Sequence, residues 1–220
     1  MRKPQSVNSL EDLGRVRLSK SFFMRDFLYS EISNFYGIPN IPDDPDLAIQ
    51  ACTKLCTELL EPLNETFGRI SVFSGYRSCS VNQTGNEKNL RCASNEANYA
   101  GHIFDYRDAE GYMGATVSIV IPWFADKYEQ GTDWRAMAWW IHDHLPYSDL
   151  TFFPKLAAFN ISWHEQSKRE IRSYVEPKGL LTKPGMEGHD GDHSSWYQGF
   201  PVLVKPKIHN KGYKKIINIL

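Results

Sequence analysis

The sequence predicts an α+β fold that is followed by an extended C-terminal arm. Two stretches carry apolar residues at helical spacing, and the short apolar runs between and after them have the length of β-strands. From about residue 176 the composition changes, because glycine and proline become frequent and the last residues are rich in lysine. We therefore divide the chain into an N-terminal arm over 1–17, a folded domain over 18–175 and an extended arm over 176–220.

Three helices are expected in the folded domain. Residues 24–35 place apolar side chains at helical spacing after Ser21, whose hydroxyl can cap a helix. The second helix starts at the acidic turn before Pro45 and ends near Gly68. The third covers 134–144 and has a wide apolar face.

Short strands are expected where apolar runs are bounded by turn residues. The runs predicted as strands are 70–73, 102–106, 151–153 and 159–164, with 171–175 as an edge. Residues 118–124 are either a further buried strand or the start of an insertion.

The composition fits a single domain with a sizeable core, since 41% of the 220 residues are hydrophobic. The formal net charge of -1 gives no overall field that would attract nucleic acid or a membrane surface. No run of about 18 apolar residues occurs, and the start Met1–Pro4 lacks the apolar core of a signal peptide. We therefore expect neither a nucleic-acid partner nor a membrane partner.

The four cysteines fall into two pairs. Cys52 and Cys56 lie four residues apart in a predicted helix, where buried free thiols are expected. Cys79 and Cys92 bracket a polar loop and are either joined by a disulfide or, in a reducing compartment, free. No CxxC spacing occurs, which argues against a zinc site made of thiolates.

The stretch from Ser74 to Asp105 has the pattern of a site. A short apolar strand runs into a tight, glycine-containing turn that carries Arg77, and after a long loop Asp105 follows among aromatic residues. A carboxylate in apolar surroundings is costly unless a cation, a metal ion or a buried donor pairs with it. Two interpretations stay open, namely a buried ion pair between Asp105 and Arg77, or a metal ligand.

Two further segments contain several side chains of the metal-ligand type. The first, His142-Asp143-His144, lies at the end of a predicted helix, where adjacent side chains diverge, so a solvated helix end is expected. The second runs from His189 to His193 in a glycine-containing loop, which is either a polar loop or a surface metal site.

Four segments in this order carry a family resemblance. They are the leucine-serine start of 18–27, the helix end 60–69, the turn Ser74-Gly75-Tyr76-Arg77-Ser78 with Val81-Asn82, and the pair 145–150 and 162–164. Together they resemble the zinc D-alanyl-D-alanine peptidases with the hedgehog/DD-peptidase fold, a murein peptidase family common in bacteria and among phage lysis and tail enzymes. The resemblance covers about 18–165 and implies a small, mostly antiparallel sheet packed with helices.

The resemblance also implies a zinc centre held by a histidine, an aspartate seven positions later and a histidine on the last strand, with a glutamate as general base. Asp105 matches the aspartate and His164 the last histidine. Asn98 stands where the family has its first histidine, and Phe153 where it has the glutamate. His102 is a further imidazole nearby, but on one strand it would face away from Asp105.

These replacements indicate a degenerate centre, so whether the chain is an enzyme stays open. The expected function is a non-catalytic structural or binding module, with a phage virion as its setting by analogy. The alternative is an active zinc-dependent murein peptidase that cleaves peptidoglycan cross-links. No cofactor is expected in the first case, and zinc in the second. The residues expected to bind in the cleft are Ser74, Tyr76, Arg77 and Asn98.

The expected partners follow from the same two interpretations. Other protein subunits would dock on the arm over 176–220, because such segments gain order from a partner, and peptidoglycan would bind in the cleft. The localisation stays open between a phage particle and the bacterial cytoplasm before lysis.

Overall fold

A computed structural model describes residues 1–204 and shows an α+β fold. Its α-helices are α1 (Val7–Gly14), α2 (Glu31–Tyr36), α3 (Pro45–Leu55), α4 (Glu61–Phe67), α5 (Cys79–Glu87), α6 (Asn95–Asn98), α7 (Pro122–Glu129) and α8 (Trp134–His144). Its strands are β1 (Ser71–Ser74), β2 (Gly114–Val120), β3 (Asp149–Phe152), β4 (Phe159–His164), β5 (Glu170–Ser173) and β6 (Gly179–Thr182). None of the helices within these residues is long and apolar enough to cross a membrane.

The strands form one mixed sheet in the order β1-β2-β4-β3-β5-β6. Neighbouring strands are antiparallel except β3 and β5, which run parallel to each other. The predicted α+β class is therefore confirmed.

The sheet has an apolar face and a polar face. Val117 lies opposite Ile161 across β2 and β4, and both side chains are buried in the core to which α3 also contributes. One residue further along, the alternation of side chains places Ser118 opposite Asn160 on the other face. The helix layer thus covers the apolar face, and polar groups line the opposite face.

The second predicted helix is confirmed as a continuous helical run made of α3, a π-helical turn over Cys56–Leu60 and α4. Asp44 caps its start, since the carboxylate accepts a hydrogen bond from the backbone N–H of Leu47 at 3.0 Å. Gly68 ends the run with a φ of 83°, which few residues other than glycine adopt.

The single helix expected over 24–35 is wrong. Met24–Phe27 forms a 3₁₀ turn, and α2 begins only after Ser30. The cause is local, because the hydroxyl of Ser30 accepts a hydrogen bond from the backbone N–H of Ser33 and so starts a new helix.

The strand expected over 102–106 is also wrong, because the chain turns back on itself there. Ala100 has a φ of 54°, and the backbone N–H of Ile103 donates to the carbonyl of Asn98 at 3.1 Å. The segment makes only an isolated bridge between Tyr99 and Ile103. The run 118–124, which the sequence left undecided between a strand and the start of an insertion, is divided. Residues 118–120 end β2, and α7 begins at Pro122.

Both predicted arms pack on the domain over their described parts. Residues 1–17 contain α1, whose Leu13 is fully buried in the core. In the C-terminal segment, β6 extends the sheet beside β5, and Trp140 of α8 donates from Nε1 to the carbonyl of Pro201 at 3.1 Å. Residues 205–220, with the lysines of the predicted tail, lie outside the described part of the chain.

Candidate functional site

A groove of about 770 Å³ brings most of the predicted cleft residues together. Its polar lining consists of Ser30, Glu31, Ser74, Arg77, Arg91, Asn98, His102, Ser118 and Asn160. Its apolar lining consists of Ile32, Phe35, Tyr36, Leu90, Ala93 and Phe153. Three of the four predicted cleft residues therefore meet in one cavity, where His102 joins them.

The floor of the groove is a row of side chains across the polar face of the sheet. Strand register places Ser74 of β1 opposite Ser118 of β2, which in turn lies opposite Asn160 of β4. The hydroxyl of Ser118 donates to Oδ1 of Asn160. Because this bond occupies the amide oxygen, the NH₂ group of Asn160 is the part that is available to a ligand.

Gly75 sets the position of the turn that carries the arginine. The backbone N–H of Tyr76 donates to the carbonyl of Phe27 at 2.8 Å. A Cβ atom on Gly75 would lie 2.6 Å from that same carbonyl oxygen. Only glycine therefore lets the turn approach Phe27 this closely.

Arg77 is a half-buried cation that has no carboxylate partner among residues 1–204. Its Nη2 donates to Oγ of Ser74 at 3.2 Å, and its Nη1 lies 3.3 Å from Sγ of Cys92. Within residues 1–204, no carboxylate oxygen comes within 4 Å of its guanidinium nitrogens, so the expected ion pair with Asp105 does not form. Burial lowers the pKa of Arg77, as removing a charge from water must.

Asp105 lies behind the groove and does not line it. Its Oδ2 accepts a hydrogen bond from the backbone N–H of Asp43 at 2.6 Å. Its Oδ1 and the hydroxyl of Tyr76 are buried and have no hydrogen-bond partner in the described part of the chain. Burial raises the pKa of Asp105, and burial together with the neighbouring Asp105 raises that of Tyr76.

Tyr76 was predicted as a cleft residue, but its side chain is part of the core. It is 1% exposed and packs edge-on against Phe104, with ring centroids 5.7 Å apart. The side chain of Tyr76 therefore anchors the turn in the core, and the neighbouring Arg77 lines the groove.

His102 enters the groove as a neutral imidazole. Its Nδ1 is 2.9 Å from the carbonyl of Gly75, which can only accept, so Nδ1 carries the proton. Burial and the nearby Arg77 lower the pKa of His102 to about 3. Its Nε2 is therefore an acceptor, and it makes no hydrogen bond to any residue that the structure describes.

The three residues that match the family's zinc ligands do not fit a zinc ion. Asn98 donates to Oδ1 of Asn82 at 2.7 Å, and Asp105 is held by the backbone of Asp43. His164 pairs through Nε2 with Oδ2 of Asp108 at 3.0 Å. Asn98, Asp105 and His164 thus have separate partners, so no reaction step through zinc can be assigned to them.

A different set of ligand-type side chains does come together, at the end of α8. Within residues 1–204, His142, Asp143 and His193 bring ligand atoms within 4.8 Å of one another, so this cluster could hold a metal ion. The solvated helix end expected at His142 is wrong, since this ring is 7% exposed. The two histidine-containing segments that the sequence offered separately are therefore neighbours in space.

Hydrogen bonds order this cluster in detail. His193 donates from Nδ1 to Asp143 at 2.7 Å and from Nε2 to the carbonyl of Gly188 at 2.7 Å, so both ring nitrogens carry protons. Burial is the largest single influence and opposes this charge, but the hydrogen bonds to Asp143 and Gly188 together with the nearby carboxylates outweigh it, and the pKa of His193 is raised. The ring of His193 also stacks on Trp139, with centroids 3.9 Å apart.

The cysteines are free thiols in the structure. Cys52 and Cys56 are buried as predicted. The disulfide considered for Cys79 and Cys92 is not formed, and Cys92 instead contacts Arg77.

The rim of the groove is apolar, which the sequence did not suggest. Phe35 is 81% exposed, and Tyr36 and Leu90 are also exposed, although all three are large and hydrophobic. The groove therefore combines an apolar rim with a polar floor and two arginines, Arg77 and Arg91, neither of which has a carboxylate within 4 Å in the described part of the chain.

Comparisons of this chain with protein-family models, with curated proteins and with solved structures find no match.

Proposed function

We propose that this chain is a non-catalytic binding module whose groove holds an acidic peptide, with murein stem peptides as the class that its family resemblance favours. The observation that carries the proposal is Arg77, a guanidinium that lines the groove without a carboxylate partner among the described residues. Removing a cation from water is costly unless an anion pairs with it, and Arg77 is half-buried. A carboxylate of the ligand would provide that anion and can accept two parallel N–H bonds from the guanidinium.

The other groups in the groove suit a peptide backbone. His102 offers an acceptor at Nε2, and Asn160 offers donors, so both can bond to the amide groups of an extended chain. The exposed ring of Phe35 and its neighbour Tyr36 provide apolar contact for side chains of the ligand. Murein stem peptides carry free carboxylates and small apolar side chains, which matches this combination.

The alternative of an active zinc peptidase needs a metal and a general base in the groove. The ligand cluster at His142 shares no residue with the groove. Glu31 is the one carboxylate in the described lining of the groove, and it lies on α2, far in sequence from the position where the resembled family has its base. Incubation with murein peptides would therefore give binding without release of D-alanine, and D-alanine release would support the alternative.

Removing the charge of Arg77 is expected to weaken ligand binding about tenfold or more, since a hydrogen bond to a charged group contributes roughly 1.5–3 kcal/mol. The measurement is calorimetric titration with a stem peptide that ends in D-alanyl-D-alanine, comparing the wild type with Arg77→Met. Arg77→Lys keeps the charge but not the planar fork and should fall between the two.

The matched control is Arg15→Met, which removes an exposed arginine whose partner is Glu11 on the same helix. This variant should bind like the wild type. Equal affinity of the wild type and a folded Arg77→Met, or no binding by the wild type at all, would contradict the proposed function.

Glu31 is expected to oppose the binding of an acidic ligand, because it places a negative charge in the lining of the same groove. Glu31→Gln should strengthen binding about twofold, in line with the small energies of partly exposed charges. The gain should disappear in high salt, which screens such interactions. A loss of affinity in this variant would show that Glu31 contacts the ligand directly.

A further inference from the structure

We propose that His142, Asp143 and His193 form a binding site for a divalent transition metal ion such as Zn²⁺, separate from the groove. The three side chains come from two segments about 50 residues apart in sequence and bring ligand atoms within 4.8 Å of one another. Two imidazoles and a carboxylate form a donor set that suits zinc, nickel or copper better than calcium or magnesium.

The two imidazoles are held in fixed orientations by groups outside the cluster. His142 Nδ1 lies 2.7 Å from the hydroxyl of Tyr147, and the ring of His193 is stacked on Trp139. Metal-binding histidines usually have their second nitrogen held in this way, which fixes the ring and the nitrogen that binds. For His142 the geometry assigns the ligand role to Nε2, which now donates to the carbonyl of His189 at 2.8 Å.

The spacing between Asp143 and His193 is close to that of two ligands on one metal ion. Their bonded atoms, Oδ1 and Nδ1, lie 2.7 Å apart. Two ligands at 2.0–2.1 Å from a tetrahedral zinc ion lie roughly 3.3 Å apart. A metal ion would therefore replace the proton between them after a movement of about half an ångström. The movement would have to be shared by Asp143 and the His193 ring, because the carboxylate of Asp143 also accepts a hydrogen bond from the hydroxyl of Tyr197 at 2.7 Å.

The surroundings leave room for the remaining coordination position. A cavity of about 450 Å³ adjoins the cluster, and the side chains of Asp190 and Asp192 line it beside His142 and Asp143. A water molecule or one of these carboxylates can complete a four-coordinate site. Arg169 also lines this cavity, and its charge opposes metal binding, although its guanidinium is held by the carbonyls of His142 and Leu145.

The site would act as a structural clamp. His193 belongs to the segment after β6, whereas His142 and Asp143 belong to α8, so one metal ion would link the two. Ligands that a folded chain supplies from distant segments couple metal binding to stability. Metal binding is therefore expected to raise the melting temperature and to slow backbone hydrogen exchange around His193.

The test is titration of the full chain with Co²⁺, whose visible absorption bands report imidazole and carboxylate coordination, followed by displacement with Zn²⁺. We expect saturation at one equivalent and a higher melting temperature with Zn²⁺. Asp143→Asn should weaken Zn²⁺ binding at least tenfold while keeping the fold, because the amide oxygen still accepts the bond from Nδ1 of His193 and the amide NH₂ can donate to the hydroxyl of Tyr197. His193→Asn should weaken Zn²⁺ binding to a similar extent.

His144→Asn is the matched control, since His144 lies on the same helix end but outside the cluster; it should bind Zn²⁺ like the wild type. Absence of Co²⁺ bands in the wild type would overturn the site. So would a Zn²⁺ affinity as high as that of the wild type in folded Asp143→Asn and His193→Asn. Peptide binding in the groove should be unchanged in Asp143→Asn, so failure of this site and failure of the proposed function can be told apart.

Discussion

Gly114→Ala is expected to lower the free energy of unfolding by about 3 kcal/mol, at the upper end of what overpacking usually costs. A Cβ atom on Gly114 would lie 2.3 Å from the carbonyl oxygen of Ala100 and 2.6 Å from Cδ2 of His164. The first neighbour is backbone and the second is a ring held by Asp108. Moving the Ala100 carbonyl would displace the segment that carries His102, and moving the His164 ring would break its bond to Asp108.

Urea unfolding of the wild type and Gly114→Ala measures the effect as a shift of the midpoint at constant slope. Gly14→Ala is the matched control. Its new Cβ would meet the Cβ of Arg25 at 3.3 Å, a contact that a small adjustment relieves. The control should remain within about 1 kcal/mol of the wild type, because alanine also favours the helix in which Gly14 lies. A loss under 1 kcal/mol in Gly114→Ala would show that the Ala100 segment adapts freely.

One part of the site could be predicted from the sequence, whereas the other part depends on the close approach at Gly114. Ser74 and Arg77 belong to a strand and a turn whose geometry depends on adjacent residues, so their placement in the groove follows from local sequence. Asn98 and His102 reach the groove through a compact turn that Gly114 admits. That turn depends on a tertiary contact, which spacing along the chain does not reveal.

The strand predicted over 102–106 is wrong, and it was the basis for placing Asp105 and His102. The argument that they face opposite sides assumed a strand over 102–106, where side chains alternate. The chain there forms turns instead, with Ala100 in the left-handed region. As a result His102 lines the groove and Asp105 is buried behind it. The two residues do lie apart as expected, but because the chain turns there and not because side chains alternate along a strand.

The fold was predictable where one element carries its own signal. The long helical run after Asp44 has a cap, an acidic first turn and a terminating glycine. In contrast, β6 lies in a segment rich in glycine and proline, and its pairing with β5 decides its structure. The ligand cluster could not be predicted from the sequence either. His142 and His193 meet only once the C-terminal segment has packed on α8.

The polar face of the sheet decides what this groove can do. Thr116 and Ser162 lie opposite each other with their hydroxyl oxygens 2.7 Å apart, and Ser118 bonds to Asn160 beside them. Of these residues, Ser118 and Asn160 line the groove. They form a neutral floor, and the free NH₂ group of Asn160 suits the amide groups of a ligand.

The free energy of unfolding is expected to fall by about 2 kcal/mol between pH 7 and pH 5 because of His102. Its pKa is lowered from 6.5 to about 3 because its ring is buried and lies near Arg77. Below pH 6.5 the unfolded chain binds a proton at this residue and the folded chain does not. Acid therefore favours the unfolded state, and the loss grows until the pH reaches the folded pKa.

The measurement is urea unfolding at several pH values for the wild type and His102→Asn. Asparagine places an N–H where Nδ1 donates to Gly75 but cannot be protonated, so the variant should lack this part of the acid loss. Taking the difference between the two proteins removes the contribution of Asp105, whose raised pKa acts in the opposite direction. It also removes that of His142, whose pKa is lowered mainly by burial.

His144→Asn is the control for this series, since it removes an imidazole that is only half-buried, and it should retain the pH dependence of the wild type. Parallel curves for the wild type and His102→Asn would mean that His102 takes up a proton in the folded state at mild acidity. The groove would then hold a further cation besides Arg77 and Arg91. In that case the affinity for an acidic peptide should rise as the pH falls, whereas a neutral His102 keeps it nearly constant between pH 7 and pH 5.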